Sequence, residues 1–274
     1  MWTAECSRNR TETTNITMKR KKVVAVIPAR MGASRFPGKP LVKISGLPMI
    51  EHVRRRVLLS AAIDDVSVAT CDREIFDTVT RFGGKAIMTK NTHERCTDRV
   101  EEAAGRIDLD IAVIVQGDEP LFEPEVLARL TEPLLADETV NCANLISAIK
   151  DEADLLDEDI VKAVLDETGF IMCFSRSPIP HLRVRNGCPM YRQTGISAFT
   201  KSFLHAYSRL PPTSLEIAES VDFLRILGHR HAIRGVVYER NTVGVDRPGD
   251  VARIEDILRS DPAQKKLFER ISAL

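Results

Sequence analysis

The segment PARMGASRFPGKPL, residues 28–41, gathers the cations Arg30, Arg35 and Lys39, the hydroxyl of Ser34 and the glycines Gly32 and Gly38 into one stretch. Glycine lets backbone approach a ligand closely, and guanidinium and ammonium groups donate charge-assisted hydrogen bonds to phosphate oxygens. A triphosphate is the guest this composition suits; the plainer reading is a solvated basic loop. The stretch contains neither G-x-x-x-x-G-K-[ST] nor G-x-G-x-x-G, which argues against kinase, ATPase and dehydrogenase readings. Two acids complete the chemistry: Asp118 in VQGDEP, after an apolar run, and Asp246 in VGVDRPGD. Each alone reads equally well as a helix N-cap. Together they suit Mg2+, which takes one or two carboxylates and fills its shell with substrate phosphates and water. A basic loop with two carboxylates predicts phosphoryl or nucleotidyl transfer.

These residues need a frame. Short β-branched runs alternating with amphipathic stretches predict an α/β fold, a mostly parallel doubly wound sheet. Strands are expected at 23–29, 66–70, 85–88, 111–116 and 143–147, each a near-continuous apolar run of the kind covered on both faces. Ligands of such sheets bind beyond the carboxyl ends of the strands, where the basic loop and Asp118 fall. Helices are expected at 49–62 with Pro48 in the first turn, at 73–83 with Gly83 as C-cap, and at 123–135. Past about residue 150 the texture becomes α+β. Strands are read in VKAVLD, FIMCFS and GISAF and at 233–239, a loop at 178–190, and helices at 215–227 and 247–258. The run Arg54-Arg55-Arg56 reads as a solvated helix face, with Arg55 or Arg56 able to approach a second subunit. His229 and His231 lack a third ligand and read as a solvated basic turn.

Composition narrows the functional classes. The 274 residues carry 39 Lys and Arg against 39 Asp and Glu, so no global field draws nucleic acid or anionic lipid, and any polyanion must be bound locally. The six cysteines contain no C-x-x-C pair, which argues against a zinc ribbon or redox couple; they read as reduced, mostly packed thiols. No apolar run approaches the ~20 residues that span a bilayer, and no signal-peptide core is visible, so a cytoplasmic protein is expected. Residues 1–22, polar and aperiodic, read as a disordered extension, and 23–274 as a single domain.

The motifs I-P-A-R-x-x-x-S-R-x-P-G-K-P-L, P-M-I-x-H-V, V-Q-G-D-E-P, V-K-x-V-L-D, F-S-R-x-x-I-P and G-V-D-x-P-x-D follow one another in that order. In this the chain resembles the 3-deoxy-manno-octulosonate cytidylyltransferases over about residues 23–258. The resemblance implies a Rossmann-like nucleotidyltransferase, homodimeric, using CTP and Mg2+ to load CMP onto an anionic acceptor with release of pyrophosphate. It implies that Ala29, Arg30, Ser34, Arg35 and Lys39 meet the nucleotide, that Arg30, Lys39 and Asp118 are catalytic, and that Asp118 and Asp246 hold the metal. Gln116 would touch the nucleoside. The segment His93 to Arg99 matches the family's H-x-S-G-T-E-R, so Thr97 and Arg99 would help recognise cytidine, while Arg95 and Cys96 stand where Ser and Gly are usual. The Cys96 thiol reads as packing rather than as a nucleophile.

The acceptor end departs further. Arg176, Arg192 and Glu216 keep the pattern, but Gln193 replaces a His, Ser197 a Tyr, and Phe223 a Gln associated with sugar hydroxyls. Each buried polar group left without its partner costs roughly 1–3 kcal/mol. The expected reaction is therefore CMP transfer to an acidic acceptor of the octulosonate type, at a site including Arg176, Arg192, Gln193, Glu216 and Phe223. The alternatives are the same chemistry on a different, smaller acid such as a phosphonate or on another sugar acid, a sugar-phosphate nucleotidyltransferase using UTP or GTP, and a nucleotide-binding regulator without turnover.

Overall fold

The computed structural model describes residues 20–32, 35–184, 187–239 and 243–274. Its strands are β1 (Val23–Ala29), β2 (Lys43–Ile44), β3 (Leu47–Pro48), β4 (Asp65–Thr70), β5 (Lys85–Met88), β6 (Ile111–Val115), β7 (Cys142–Ala148), β8 (Lys162–Leu165), β9 (Ile171–Ser175), β10 (Tyr191–Thr200) and β11 (Arg234–Tyr238). Its helices are α1 (Met49–Leu58), α2 (Arg73–Arg81), α3 (Cys96–Ala104), α4 (Val126–Ala136), α5 (Glu152–Leu156), α6 (Lys201–Tyr207), α7 (Ser214–Glu219), α8 (Phe223–Gly228), α9 (Asp250–Ser260) and α10 (Pro262–Ser272). All strands except the β2–β3 hairpin join one sheet, in the order β11-β7-β10-β6-β1-β4-β5, with β8 and β9 attached beside β10.

The apolar runs explain the layering. All seven residues of β1 are buried, because the strand is covered on both faces. Ala25 faces Val66 of β4 and Val113 of β6 in parallel register. One face of the sheet packs on α1, α2 and α4 through Ile50, Val53, Ile75, Leu127 and Leu130. The other packs on α3, α6 and α8 through Val100, Phe203 and Leu224. Each such side chain contributes about 1.5–3 kcal/mol by leaving water. A third apolar cluster joins Ile44, Met49, Leu121, Val245, Ile254 and Leu258, so α9 is packed against the segments that carry Asp118 and Asp246.

The doubly wound α/β architecture agrees with the sequence reading, and the main differences lie at element ends and in the second half. Strand β10 enters antiparallel between β6 and β7, and its register against β7 shifts between Gln193 and Ser197. Such a bulge bends a strand and re-aims its side chains, here beside the cleft. The helix expected at 215–227 is two helices, because Ser220 adopts a left-handed conformation with φ 52° that ends α7. Helix α4 begins at Val126 with Glu125 at its cap, and α9 begins at Asp250 with Gly249 at its cap, so neither Asp118 nor Asp246 is an N-cap. Pro48 stands at the cap position of α1 rather than in its first turn.

The arginine run is also corrected. Arg54, Arg55 and Arg56 are buried, not solvated. Arg54 and Arg55 share the fully buried Glu51 carboxylate at 2.7 and 3.1 Å, and Arg55 also donates to the Ile271 carbonyl of α10. Arg56 donates to the Phe122 carbonyl, and burial pushes its pKa down to about 10, leaving it a cation at neutral pH. These arginines bind α1 to the chain terminus and to the segment after Asp118. The thiols are less packed than expected: among the described cysteines Cys142 is buried, while Cys96, Cys173 and Cys188 are exposed. His231 packs edge-on against Phe203, and His229 bonds the Pro211 carbonyl.

Candidate active site

The carboxyl ends of β1 and β6 open into a cleft of two adjoining lobes, about 290 Å³ and 560 Å³. The smaller, lined by Ala29, Arg30, Lys39, His93, Arg99 and Gly117, gathers most of the expected nucleotide contacts. The larger, lined by Arg176, Arg192, Gln193 and Phe223 among others, gathers most of the expected acceptor contacts. Both lobes share Arg35, Glu94, Arg95, Cys96, Gln116, Asp118 and Asp246, which form the seam between them.

The seam is held by backbone. The Val245 N–H donates to the Asp118 carbonyl at 2.9 Å, so the two acid-bearing segments, far apart in sequence, are joined one residue from Asp246. Val245 is 1% exposed and anchors that loop in the third apolar cluster. The Asp250 carboxylate accepts the N–H groups of Asp246 and Arg247, both at 2.8 Å, which fixes the turn ahead of α9. Gly117 lets β6 end close to β1: a Cβ there would sit 3.2 Å from the Pro28 carbonyl. Gln116 is clamped by β10, donating its N–H to the Gly195 carbonyl at 3.0 Å, and a Cβ on Gly195 would come within 2.9 Å of the Gln116 side chain.

The two acids are each met by a cation of the basic loop. Lys39 Nζ donates to Asp118 Oδ2 at 2.6 Å and to the Val245 carbonyl at 2.8 Å. Arg35 donates to Asp246 at 3.0 Å and reaches Asp159 at 2.8 Å, while Arg247 holds the other Asp159 oxygen at 3.0 Å. Asp159 was not singled out from the sequence; only folding brings the turn after α5, residues 157–160, against Arg35 of the loop. Ser34 lies outside the described residues. Arg30 is exposed, whereas Arg99 is 3% exposed and donates to Thr89 Oγ1 at 2.6 Å and to the Lys90 carbonyl, so it shapes the lobe wall. Thr97 is buried at the first turn of α3 and lines the larger lobe, not the smaller.

Among the described residues no group of three or more His, Cys, Asp or Glu side chains is placed to hold a metal ion. Two carboxylates on one seam still fit a hard divalent cation that draws its remaining ligands from phosphates and water. Cys96, read as packing, is instead open to the seam at the start of α3. Although the residue is exposed to the cleft, its thiol is pushed up, first by desolvation and then by the Asp222 and Asp118 charges, so it stays protonated.

The acceptor-side residues divide into two groups. Gln193 lies at the β10 bulge, and the Arg192 guanidinium is 3.7 Å from Asp154 with its buried Nε unpartnered among the described residues. Arg176 donates to the carbonyls of Glu219 and Glu158 at 2.7 and 2.8 Å. Ser197 is 4% exposed within β10. Phe223 lines the cleft but packs edge-on against Phe174 and Phe199, so its bulk belongs to an aromatic cluster. Glu216 stands behind the cleft, 1% exposed, with Arg225 taking both carboxylate oxygens and Thr213 closing a capping box. Lys162, in the V-K-x-V-L-D motif but given no role from the sequence, is fully buried and donates to the carbonyls of Asp157, Ile160 and Arg176, pinning the turn that carries Asp159.

Comparison with known proteins places this geometry. A 3-deoxy-manno-octulosonate cytidylyltransferase of Geobacter metallireducens is 40% identical over 248 residues, covering 86% of this chain and 98% of that one. Another, from Syntrophus aciditrophicus, is 43% identical over 242 residues, covering 87% and 98%. A solved CMP:2-keto-3-deoxy-manno-octonic acid synthetase complexed with CTP superposes with TM-score 0.83 at 38% identity, over 88% of this chain and 99% of that one. A 4-diphosphocytidyl-2C-methyl-D-erythritol synthase from Anaerococcus prevotii shares the fold at TM-score 0.59 and 14% identity. The cytidylyltransferase family model matches residues 24–240, the stretch holding the sheet, the basic loop and Asp118, and with these relatives it shows that the chain belongs to the cytidylyltransferase family.

Proposed function

We propose that the protein transfers CMP from CTP to the acid 3-deoxy-manno-octulosonate. An acceptor oxygen attacks the α-phosphorus in line, the bond from that phosphorus to the β-phosphate bridging oxygen breaks, pyrophosphate leaves, and the acceptor hydroxyl gives up its proton to solvent water. The observation that carries this reading is the seam: Asp118 and Asp246 lie where a cation-lined lobe meets the lobe of Arg176 and Arg192. The name shared by the curated relatives supplies the acceptor.

The chain's own groups do the positioning. Lys39 and Arg35 leave Asp118 and Asp246 for the triphosphate oxygens, Arg30 joins them, and Gln116, clamped against Gly195, holds the nucleoside at the seam. Arg192 and Arg176 orient the acceptor's anionic group. Asp118 and Asp246, so vacated, would hold Mg2+, which supplies charge neutralisation on the phosphates. Catalysis is then orientation and electrostatics, with no covalent enzyme intermediate. Among the described residues no helix is long and apolar enough to cross a membrane. We take residues 23–274 to work as one unit in the cytoplasm, as a homodimer. The exposed Met172 on β9, a strand that among the described residues is paired along its length only with β8, supports a partner surface there.

The test incubates the protein with each of CTP, UTP, GTP and ATP, with Mg2+, and with octulosonate, sialic acid or phosphonoformate, reading pyrophosphate. Release with CTP and octulosonate is expected. Release only with phosphonoformate would replace the acceptor; release without CTP would replace the nucleotide; binding of CTP with no release in any combination would leave a regulator.

A further inference from the structure

The loop that begins α3 sends one side chain across the seam. Arg95 is the N-cap residue of α3 and lines both lobes. Its NH1 group donates to Ser220 Oγ at 3.1 Å and stands 3.4 Å from Asp222 Oδ1, while its Nε is 4.0 Å from Glu216. Glu216 cannot serve as its main partner, because Arg225 engages both oxygens of that carboxylate. Arg95 therefore meets the chain at the break between α7 and α8. Ser220 there holds φ 52°, a conformation that a residue with a side chain adopts at a cost of roughly 1 kcal/mol or more. The break turns Asp222 into the larger lobe, where its side chain remains 21% exposed.

We propose that Arg95 is a positioning residue for the acceptor: it braces Ser220 and holds the Asp222 carboxylate ionised and facing the acceptor lobe, joining the nucleotide-side loop to the acceptor wall. The inference rests on the cytidylyl-transfer reading of the cleft. Asp222 needs such a brace because its surroundings work against its charge. Enclosure by protein raises its pKa to about 6, and Glu216 on α7 and Asp98 on α3 push the same way. Arg95 is the leading influence in the other direction, ahead of Arg225 on α8. The Cys96 thiol on α3 and the Tyr207 phenol on α6 also feel this carboxylate; the phenol donates to the Asp222 carbonyl at 3.4 Å. Removing Arg95 takes away the counter-charge, so the Asp222 pKa rises and the ionised form is lost at a higher pH.

The experiment compares the parent with Arg95→Gln, Arg95→Lys and Asp222→Asn. It reads calorimetric binding of CTP, calorimetric binding of octulosonate in the presence of a non-hydrolysable CTP analogue, and the pH profile of kcat/KM for octulosonate. Arg95→Gln is expected to leave CTP affinity unchanged, to raise KM for octulosonate about ten-fold, and to move the acid limb of the profile up by roughly one pH unit. Arg95→Lys should restore most of the limb, and Asp222→Asn should abolish it. An Arg95→Gln limb that coincides with the parent's, or equal losses for CTP and octulosonate, would overturn the role of Arg95 while leaving the reaction standing. If the parent neither binds octulosonate nor releases pyrophosphate with it, the reading of the reaction falls, and the role of Arg95 falls with it.

Discussion

The two lobes of the cleft are built in opposite ways. The nucleotide lobe is made mainly from the ends of two adjacent parallel strands, β1 and β6, and the residues named by its motifs lie in or beside it. The acceptor lobe is assembled from a bulged antiparallel strand, the break between two short helices, and a turn pinned by a buried lysine. In that lobe several motif residues serve the architecture: Glu216 neutralises Arg225, Lys162 ties three carbonyls, and Phe223 fills an aromatic cluster. A motif therefore transfers its role best where strand ends fix the backbone. Where irregular segments must first be held together, polar groups are consumed in holding them.

The widest test of this contrast is at the seam. Asp118→Ala and Asp246→Ala should each lower kcat by about 10²–10³ or more, the scale of losing one preorganised charge, with the circular dichroism unchanged. Retained turnover in either variant removes that residue from the metal site.

Next comes the cation that now covers one acid. Lys39→Ala should raise KM for CTP and lower kcat together, by about ten-fold or more for a charge-assisted contact of roughly 1.5–3 kcal/mol, without moving KM for octulosonate. A change confined to octulosonate would erase the division into lobes.

The aromatic wall gives a smaller effect. Phe223→Gln should cost about 2 kcal/mol through lost packing beside Phe174 and Phe199, seen as a melting temperature lower by roughly 4–8 °C. If the melting temperature holds and KM for octulosonate falls, Phe223 belongs to the acceptor contacts rather than to the core.

The smallest effect is a pH dependence. Glu219 accepts from the Arg176 N–H and from Ser175 Oγ, and these bonds hold its pKa below the ordinary 4.5. A depressed carboxylate stabilises the fold above its unfolded value, and that gain is lost as pH falls through the folded value. Glu219→Gln should therefore melt about 1–2 °C lower than the parent at pH 7, a gap that closes in acid. An equal gap at pH 3 and pH 7 would show that the charge contributes nothing.

Much of the frame was legible because it is local. Alternation and apolar run length set β1, β4, β5, β6 and β7 within a residue or two, and Gly83 with φ 73° closes the end of α2, although the C-cap is Phe82 and Gly83 is the residue after it. Run length could not show that β10 enters between β6 and β7, since pairing order depends on which edges remain free once the sheet assembles. Nor could a helical period reveal the break at Ser220, where polar and apolar positions continue across it. The arginine run misled for a related reason: charge signals exposure only until a buried partner such as Glu51 is available.

The sequence by itself determined the doubly wound α/β sheet, the basic loop at the end of its first strand, and the two acids suited to a cation. Strand and helix periods and short motifs are properties of neighbouring residues, and those survive in a linear reading. Only the tertiary structure decided that Lys39 covers Asp118, that Arg35 bridges Asp246 and Asp159, and that Arg95 meets Asp222. Those pairs are separated by tens to hundreds of residues in the chain. Their strength depends on distance and on exclusion of water, quantities that exist only once the sheet has brought its loops to one edge.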